Sequence, residues 1–311
     1  MKKQQKVEWK DKTTPMISDI LQHVHDPYSG AYSRVDGQVV LFSFDPFNEN
    51  IIKSTLFEHN DSIRSLSFHS SLFCCSLDGK LIQLDEKPTL YSFGDFQFNS
   101  IKCIDANTGL LGSDMGDVII YDIRQPYSIK EFKFGEDYIS SISYVNNKTV
   151  VSSGDGSLTS IDLKMYKSYT SNSINTSIHS VVQFKNSFIT ASDMGLHYFE
   201  NDPKKYLNAN NEWTFYDYIP KGNIGELDGA VQDIANASIV VYGTEGLFKL
   251  QSNDHQSLIS KVNYDYISAS NNIIFGSNYD TLHLISSTLE QTKQPKVNAK
   301  AKPTLNIEGL T

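Results

Sequence analysis

The feature that most constrains this 311-residue chain is a short segment that recurs about every 40 residues. Its clearest copy, Tyr138–Asp162, reads as three short strands with turns at Asn146-Asn147 and Gly154-Asp155-Gly156. Two strand-like runs joined by Asp-Gly predict a tight hairpin, because glycine adopts the positive φ of the turn without steric cost. The seven segments that share the pattern are SRVDGQVVLFSFD, CSLDGKLIQLDE, GSDMGDVIIYDI, SSGDGSLTSIDL, ASDMGLHYFEND, YGTEGLFKLQSN and GSNYDTLHLISS.

The spacing of these segments predicts the architecture. Each is anchored on the residue before its last strand, and the anchors are Gly37, Gly79, Gly116, Gly156, Gly195, Gly246 and Asp280. Successive anchors are 42, 37, 40, 39, 51 and 34 residues apart. Four short strands in a unit of about 40 residues are typical of a β-propeller of the WD type. We therefore predict an all-β, seven-bladed WD-type propeller that occupies residues 1–290 as a single domain.

The two ends of the chain lie outside the complete units. The run Lys6–Lys10 alternates polar and apolar residues, and we predict that it closes the ring as the outer strand of the last blade. The third strand of that blade is predicted at Thr281–Ser286. The alternative is a disordered N-terminal tail, which Trp9 disfavours because an indole has much apolar area to bury. The lysine-rich residues 291–311 show no periodicity and are predicted to be disordered.

Composition narrows the class of partner. The net charge is −9, but residues 1–12 and 291–311 each carry +3, which leaves −15 on the body. An acidic body is a poor surface for nucleic acid, so we expect no direct nucleic-acid site. No apolar run reaches the roughly 20 residues of a membrane span, and the N-terminus has no apolar signal segment. The three cysteines form no Cys-x-x-Cys pair and favour a reducing compartment.

The 51-residue step between Gly195 and Gly246 contains an extra segment, Asn201–Glu212, followed by the aromatic run Trp213–Ile219. One interpretation makes this run the outer strand of the fifth blade, with its aromatic side chains packed on the next blade. The other makes it a contact surface on the rim of the propeller. The residues of that candidate surface are Trp213, Phe215, Tyr216 and Tyr218.

The second unit resembles a WD repeat most fully. His59 is followed by Ile63 and Phe68, and then by Asp78-Gly79. The resemblance implies that His59 and Asp78 join a buried hydrogen-bond network between the outer and inner strands. Elsewhere the histidine is missing, as at Gly135, and the tryptophan of the Trp-Asp pair is replaced, so the chain is a degenerate WD-repeat protein.

Residues 104–170 resemble the third and fourth repeats of the WD repeat-containing protein 55 family. The most distinctive shared features are Tyr138-Ile139 and Ser153-Gly154-Asp155-Gly156. The resemblance implies a non-enzymatic scaffold of the nucleus and nucleolus for ribosomal RNA processing and large-subunit assembly. Its partners would be pre-ribosomal assembly factors, with the chain monomeric in a larger complex, although a cytoplasmic location stays open. The family's Trp-Gly…Asp-Arg-Phe segment after the fifth blade is absent here, and its long charged C-terminal extension is reduced to a short lysine tail.

No pattern in the sequence predicts catalysis, and we expect no cofactor. The glycine-rich GSDMGD and SSGDGS occupy the repeat's turn position and precede no helix, which argues against phosphate loops. His23 and His25 share one strand face, yet no third metal ligand lies nearby in the sequence. An enzyme built on a propeller scaffold is the least favoured alternative.

One further segment suggests a docking role. Tyr121-Asp122-Ile123-Arg124 resembles the end of the box by which some WD propellers bind the cullin-4 adaptor. An arginine there can pair with a carboxylate across an interface, and the alternative is an arginine on solvent or paired within its repeat. Docking would make the protein a ubiquitin-ligase substrate receptor. An adaptor in a nuclear pore or membrane coat is also open.

Overall fold

The computed structural model describes residues 16–286 except 24–25, 46–47, 49, 136, 146, 185–186, 201, 206, 208, 210–212, 214, 219–225, 234–237, 251–255 and 272. The described residues form 27 β-strands in seven antiparallel sheets, and each sheet follows the order of the chain. The predicted all-β, seven-bladed propeller is therefore confirmed. None of the described segments forms a helix with the length and apolarity needed to traverse a bilayer.

Each of the first six blades has four strands, and the seventh has three within the described residues. The strands of blades one to four are β1 (Ile17–Gln22), β2 (Ser29–Arg34), β3 (Gln38–Asp45), β4 (Asn50–Glu58), β5 (Ile63–Phe68), β6 (Leu72–Ser76), β7 (Lys80–Leu84), β8 (Thr89–Ser92), β9 (Phe98–Cys103), β10 (Thr108–Ser113), β11 (Asp117–Asp122), β12 (Lys130–Lys133), β13 (Ile139–Val145), β14 (Lys148–Ser153), β15 (Leu158–Asp162) and β16 (Lys167–Thr170). The strands of blades five to seven are β17 (Ile178–Phe184), β18 (Ser187–Ser192), β19 (Gly195–Glu200), β20 (Phe215–Tyr218), β21 (Leu227–Asp233), β22 (Ser238–Gly243), β23 (Gly246–Leu250), β24 (Gln256–Ser260), β25 (Tyr266–Ser270), β26 (Ile273–Asn278) and β27 (Thr281–Ser286).

The ring is held together by apolar side chains between neighbouring blades. The first strands of successive blades contact one another around the ring, and β1 contacts β25 of the last blade. At that junction Phe42 and Phe275 meet edge to face with ring centroids 4.7 Å apart, and the Ile17 N–H donates to the Tyr279 carbonyl at 2.8 Å. Because each sheet is apolar on both faces, the core is a set of inter-blade layers.

The repeat turns have the predicted backbone geometry. All six anchor glycines have positive φ, between 78° and 116°. At Gly79 a Cβ atom would lie 2.2 Å from the Phe96 carbonyl oxygen, so glycine is required by close approach as well as by φ. In the seventh turn the positive φ, 58°, falls on Tyr279 instead of the anchor Asp280.

These turns lie at one end of the ring, together with the loops that enter each blade. Backbone hydrogen bonds join them, such as His59 N–H to the Gly37 carbonyl and Gly154 N–H to the Tyr138 carbonyl, both at 2.9 Å. We call this end the turn face and define it by residues 35–37, 77–79, 114–116, 154–156, 193–194, 244–245 and 279–280. The opposite end, formed by the loops between the third and fourth strands of each blade, is called the base face.

Two predictions about the ends of the chain have different outcomes. The third strand of the last blade is β27, which runs from Thr281 to Ser286 as expected. The proposed closing strand, Lys6–Lys10, lies outside the described residues, as does the lysine-rich tail 291–311. Closure by the N-terminal strand therefore stays a prediction.

Candidate functional site

His59 and Asp78 meet on the turn face. His59 follows β4, and its Nε2 lies 3.0 Å from Oδ2 of Asp78 in the turn between β6 and β7. The Ser76 hydroxyl, at the end of β6, donates to the other carboxylate oxygen. Burial would raise the pKa of Asp78, but the bonds from Ser76 and His59 outweigh it and hold this pKa below its usual value. The group ties the loop entering the second blade to the turn of that blade, which is a structural role.

The serine of this group recurs in other blades, a feature that the glycine-anchored repeat pattern did not indicate. A buried serine ends the second strand of four blades, at Ser76, Ser113, Ser153 and Ser192, and is the second-last residue of that strand in two more, at Ser33 and Ser277. Ser113 Oγ accepts the N–H groups of Met115 and Asp117, at 3.1 and 2.9 Å, and so caps its turn. The signal was present in the sequence as a serine one or two residues before the turn in CSLDG, GSDMG, SSGDG, ASDMG and GSNYD.

A second histidine–aspartate pair was also missed. His179 Nε2 lies 2.6 Å from Oδ1 of Asp193, the turn carboxylate of the fifth blade. His179 is the second residue of the inner strand β17, whereas His59 lies in the loop before β5. His179 and Asp193 are therefore 14 residues apart in the sequence, whereas His59 and Asp78 are 19 residues apart. A search at the spacing of the second repeat cannot find such a pair.

The three residues of the docking segment have very different surroundings. Tyr121 is buried at 1% exposure, packs on Phe93 with centroids 5.9 Å apart, and cannot touch a partner. Asp122 is also buried, and its carboxylate accepts Nε and Nη2 of Arg124 at 2.8 and 2.7 Å. This bond is the main cause that holds the pKa of Asp122 below its ordinary value. Arg124 alone is exposed, at 64% of its side chain, so it is paired within its repeat yet open on the base face.

Trp213 is not available as a rim contact, because it is buried at 1% exposure between the fourth and fifth blades. Its ring packs on Phe199 at 5.3 Å and joins the cluster that contains Val150 and Leu158 of the fourth blade. The backbone N–H of Trp213 donates to the Thr170 carbonyl at 3.3 Å. Trp213 thus packs on the preceding blade. The strand interpretation was wrong in this respect, because it expected packing on the next blade.

The rest of the aromatic run falls partly on the outer strand of the fifth blade. Residues Phe215, Tyr216 and Tyr218 lie in β20, whose backbone pairs with β19. Their side chains lie outside the described part of the structure. The inserted segment before them reaches back to the fourth blade, where Lys204 Nζ lies 3.7 Å from Asp162 Oδ2. That backward path explains why Trp213 reaches the fourth blade.

Charged groups also lie on the inner strands. Asp19 of β1 accepts the Ser65 hydroxyl at 2.9 Å and the Leu66 N–H at 2.8 Å, and so bridges the first two blades. Burial raises the pKa of Asp19 to about 6, against the opposing effect of these donors and of Lys102. Burial likewise lowers the pKa of Lys102, on the inner strand of the third blade. Among the described residues, no group of three or more His, Cys, Asp or Glu side chains is arranged to hold a metal ion.

The chain is similar in sequence to several curated WD-repeat proteins. It is 28% identical over 170 residues to WD repeat-containing protein JIP5 of Cryptococcus neoformans, a match that covers 48% of this chain and 45% of the relative. It is 27% identical over 147 residues to WD repeat-containing protein 55 of Arabidopsis thaliana, covering 44% and 42%. The homolog from Dictyostelium discoideum is 28% identical over 132 residues, covering 40% and 32%. The match thus spans less than half the length of these relatives. No family model matches the chain.

Solved structures are similar across nearly the whole chain. The WD40 β-propeller domain of Doa1 has a TM-score of 0.69 at 13% identity, covering 92% of this chain and 97% of that one. A chain of the mitotic checkpoint complex has a TM-score of 0.71 at 11% identity, covering 91% and 94%. At such low identity this likeness establishes the fold alone.

Proposed function

We propose that this chain, a WD-repeat propeller similar to the WD repeat-containing protein 55 proteins, is a non-enzymatic protein–protein interaction scaffold. We further propose that it acts in ribosomal RNA processing and large-subunit assembly, in the nucleus and nucleolus. The observation that carries the proposal is the sequence similarity to WD repeat-containing protein 55 of a plant and its homolog from an amoeba, and to the WD repeat-containing protein JIP5 of a fungus.

The geometry supports a scaffold because the residues singled out by the repeat pattern bond to one another within the repeats. His59, Asp78 and Ser76 bond to one another, and Asp122 holds Arg124. The surfaces available to partners are the two ends of the ring, where a rigid frame holds the loops. Fold alone does not assign a function, so the assignment to ribosome assembly depends on the sequence similarity.

The proposal is tested by purification of the tagged chain from cells, followed by analysis of bound protein and RNA. We expect pre-ribosomal particles to co-purify and ribosomal RNA precursors to accumulate when the chain is depleted. A tagged Trp213→Asp variant serves as the control, because a carboxylate at a buried position disrupts the fold. Normal precursor levels after depletion, with no ribosomal component bound to the wild-type chain, would contradict the proposal.

A second candidate function, substrate reception for a cullin-4 ubiquitin ligase, is favoured by one observation. The Arg124 guanidinium is exposed on the base face and held in a fixed orientation by two hydrogen bonds to Asp122. Pull-down with the purified adaptor compares Arg124→Ala with Lys164→Ala, which removes an exposed cation from the neighbouring blade at the same face. Loss of binding in the arginine variant alone supports docking. Equal binding by both variants and the wild type refutes docking through Arg124.

A further inference from the structure

Each of the seven turns on the turn face carries one carboxylate, and none carries lysine or arginine. The seven carboxylates are Asp36, Asp78, Asp114, Asp155, Asp193, Glu245 and Asp280. The loops that enter the blades add Asp61, Asp95, Asp137, Glu226 and Asp265. Against these, Lys261 is the single lysine or arginine among the described residues of the same loops. Two cations of the adjoining strands also reach this face: Arg34 pairs with Asp36 at 3.1 Å, and Lys133 lies 3.5 Å from Asp117 and donates to the Met115 carbonyl. The carboxylates still outnumber these three cations. The base face differs, because its described loops carry cations such as Lys87, Arg124 and Lys164 beside their carboxylates.

The turn face also exposes large apolar side chains at the tips of three turns. Met115 is 58% exposed, Met194 is 72% exposed and Tyr279 is 60% exposed. They belong to the third, fifth and seventh blades, where they stand next to Asp114, Asp193 and Asp280. Single exposed apolar side chains are common on protein surfaces, but three at the turn tips of one face give a partner segment apolar points of contact, and flexible methionines adapt well to such contacts. This observation is independent of the charge distribution.

The carboxylates are crowded near the inner strands of the fifth to seventh blades. Partial burial of its carboxyl group is the largest cause that raises the pKa of Asp228, in β21. His179 opposes the rise, but the negative charges of Asp265, Asp193 and Glu226 add to it. Like charges held this close are relieved by an incoming cation, because an opposite charge favours the ionised carboxylate.

We propose that the turn face is a docking surface for a lysine- or arginine-rich protein segment that also carries apolar side chains. The charge of the face selects the cationic residues and repels nucleic acid and acidic proteins. The three exposed tips, Met115, Met194 and Tyr279, supply apolar contact between the carboxylates. This inference rests on the proposal that the chain is an interaction scaffold, but it is independent of which assembly the chain joins.

The test uses the full chain and three fluorescein-labelled peptides of about 20 residues, a length that spans several turns. The first repeats Lys-Leu-Lys-Gly-Ser, the second has serine for leucine, and the third has glutamate for lysine. Binding is followed by fluorescence anisotropy at low and at high salt. We expect the first peptide to bind most tightly, the second more weakly and the third not at all, with binding weakened by salt.

Matched variants locate the binding surface. The double variant Asp114→Lys, Glu245→Lys reverses the charge at two positions of the turn face. We expect it to bind the first peptide at least about tenfold more weakly. Glu86→Lys with Asp202→Lys makes the same change of net charge at the base face and is expected to have an effect within about twofold. An equal loss in both double variants would overturn the proposal, because the peptide would then be responding only to net charge.

The apolar part of the surface has its own test. We expect the double variant Met115→Ser, Met194→Ser to bind the leucine-containing peptide about five- to tenfold more weakly. Its affinity for the serine-containing peptide should be unchanged. If the lysine variants fail to fold, Asp114→Asn with Glu245→Gln takes their place, with an expected loss of about threefold. Unchanged affinity in all turn-face variants refutes the docking surface, whereas a failure to co-purify ribosomal particles refutes only the proposed assembly.

Discussion

Replacing Asp19 by asparagine tests whether a charge on the inner strands costs stability at neutral pH. Asp19 Oδ2 accepts from Ser65 and Leu66, and the Ile20 N–H donates to Oδ1 at 2.8 Å. Burial outweighs these donors and raises the pKa to about 6 from 3.8. A raised pKa means that the folded state binds the proton more tightly than the unfolded state. This contribution to stability is therefore fully present below pH 3.8 and is lost as the pH rises through 6.

The rise of the pKa from 3.8 to about 6 corresponds to about 3 kcal/mol. Because the Asp19 side chain is partly exposed to solvent, we discount this value to about 1–2 kcal/mol as the expected change. Asparagine keeps one oxygen for Ser65 and Leu66 but loses the acceptor for Ile20, a cost of about 0.5–1 kcal/mol. We expect Asp19→Asn to be slightly less stable than the wild type at pH 4 and slightly more stable at pH 7.

The assay is urea unfolding of both proteins at intervals from pH 4 to pH 7. The measured quantity is the free energy of unfolding of the variant minus that of the wild type, which should rise by about 1–2 kcal/mol over this range. Asp61→Asn removes the same charge from an exposed loop residue, and its difference from wild type should stay flat. A flat difference for Asp19→Asn as well would refute the argument that burial dominates at this site.

Three further changes test the structure. Asp78→Ala should cost about 1–2 kcal/mol near neutral pH, and little of this cost should remain in a His59→Ala background if the two side chains act as one unit. Because the pKa of Asp78 is lowered, the wild type should lose this stability as the pH falls below about 4. Deletion of residues 1–12 should lower the thermal midpoint, since β27 has no outer partner among the described residues, whereas deletion of 291–311 should not. Trp213→Ala should cost about 3–5 kcal/mol by opening a cavity, as measured by urea unfolding.

Each of these changes has a control. Tyr127 is 77% exposed, so Tyr127→Ala should stay within about 0.5 kcal/mol of the wild type, in contrast to Trp213→Ala. Additive losses for Asp78→Ala and His59→Ala would show that the pair is not coupled. Equal thermal midpoints for the two tail deletions would contradict the prediction that Lys6–Lys10 forms the closing strand.

The sequence alone was sufficient for the architecture, because the repeat is local. A turn that needs positive φ selects glycine, and its recurrence at Gly37, Gly79 and Gly116 therefore counts the blades. The same reasoning located β27, since a strand that begins after a turn is defined by its neighbours in the chain. In the seventh turn the residue with positive φ is Tyr279, one position before the predicted anchor, whereas in the other turns it is the anchor glycine.

Only the tertiary structure decided which side chains are exposed. Trp213 and Tyr121 looked alike as candidates for contact, yet both are buried, because the path of the inserted segment and the packing between blades are set by residues far away in the sequence. The pairing of His179 with Asp193, the bridge from Asp19 to the second blade and the gathering of carboxylates on one face have the same origin. Periodicity fixes how each blade is built, whereas contacts between blades and the surface they share exist only once the ring has closed.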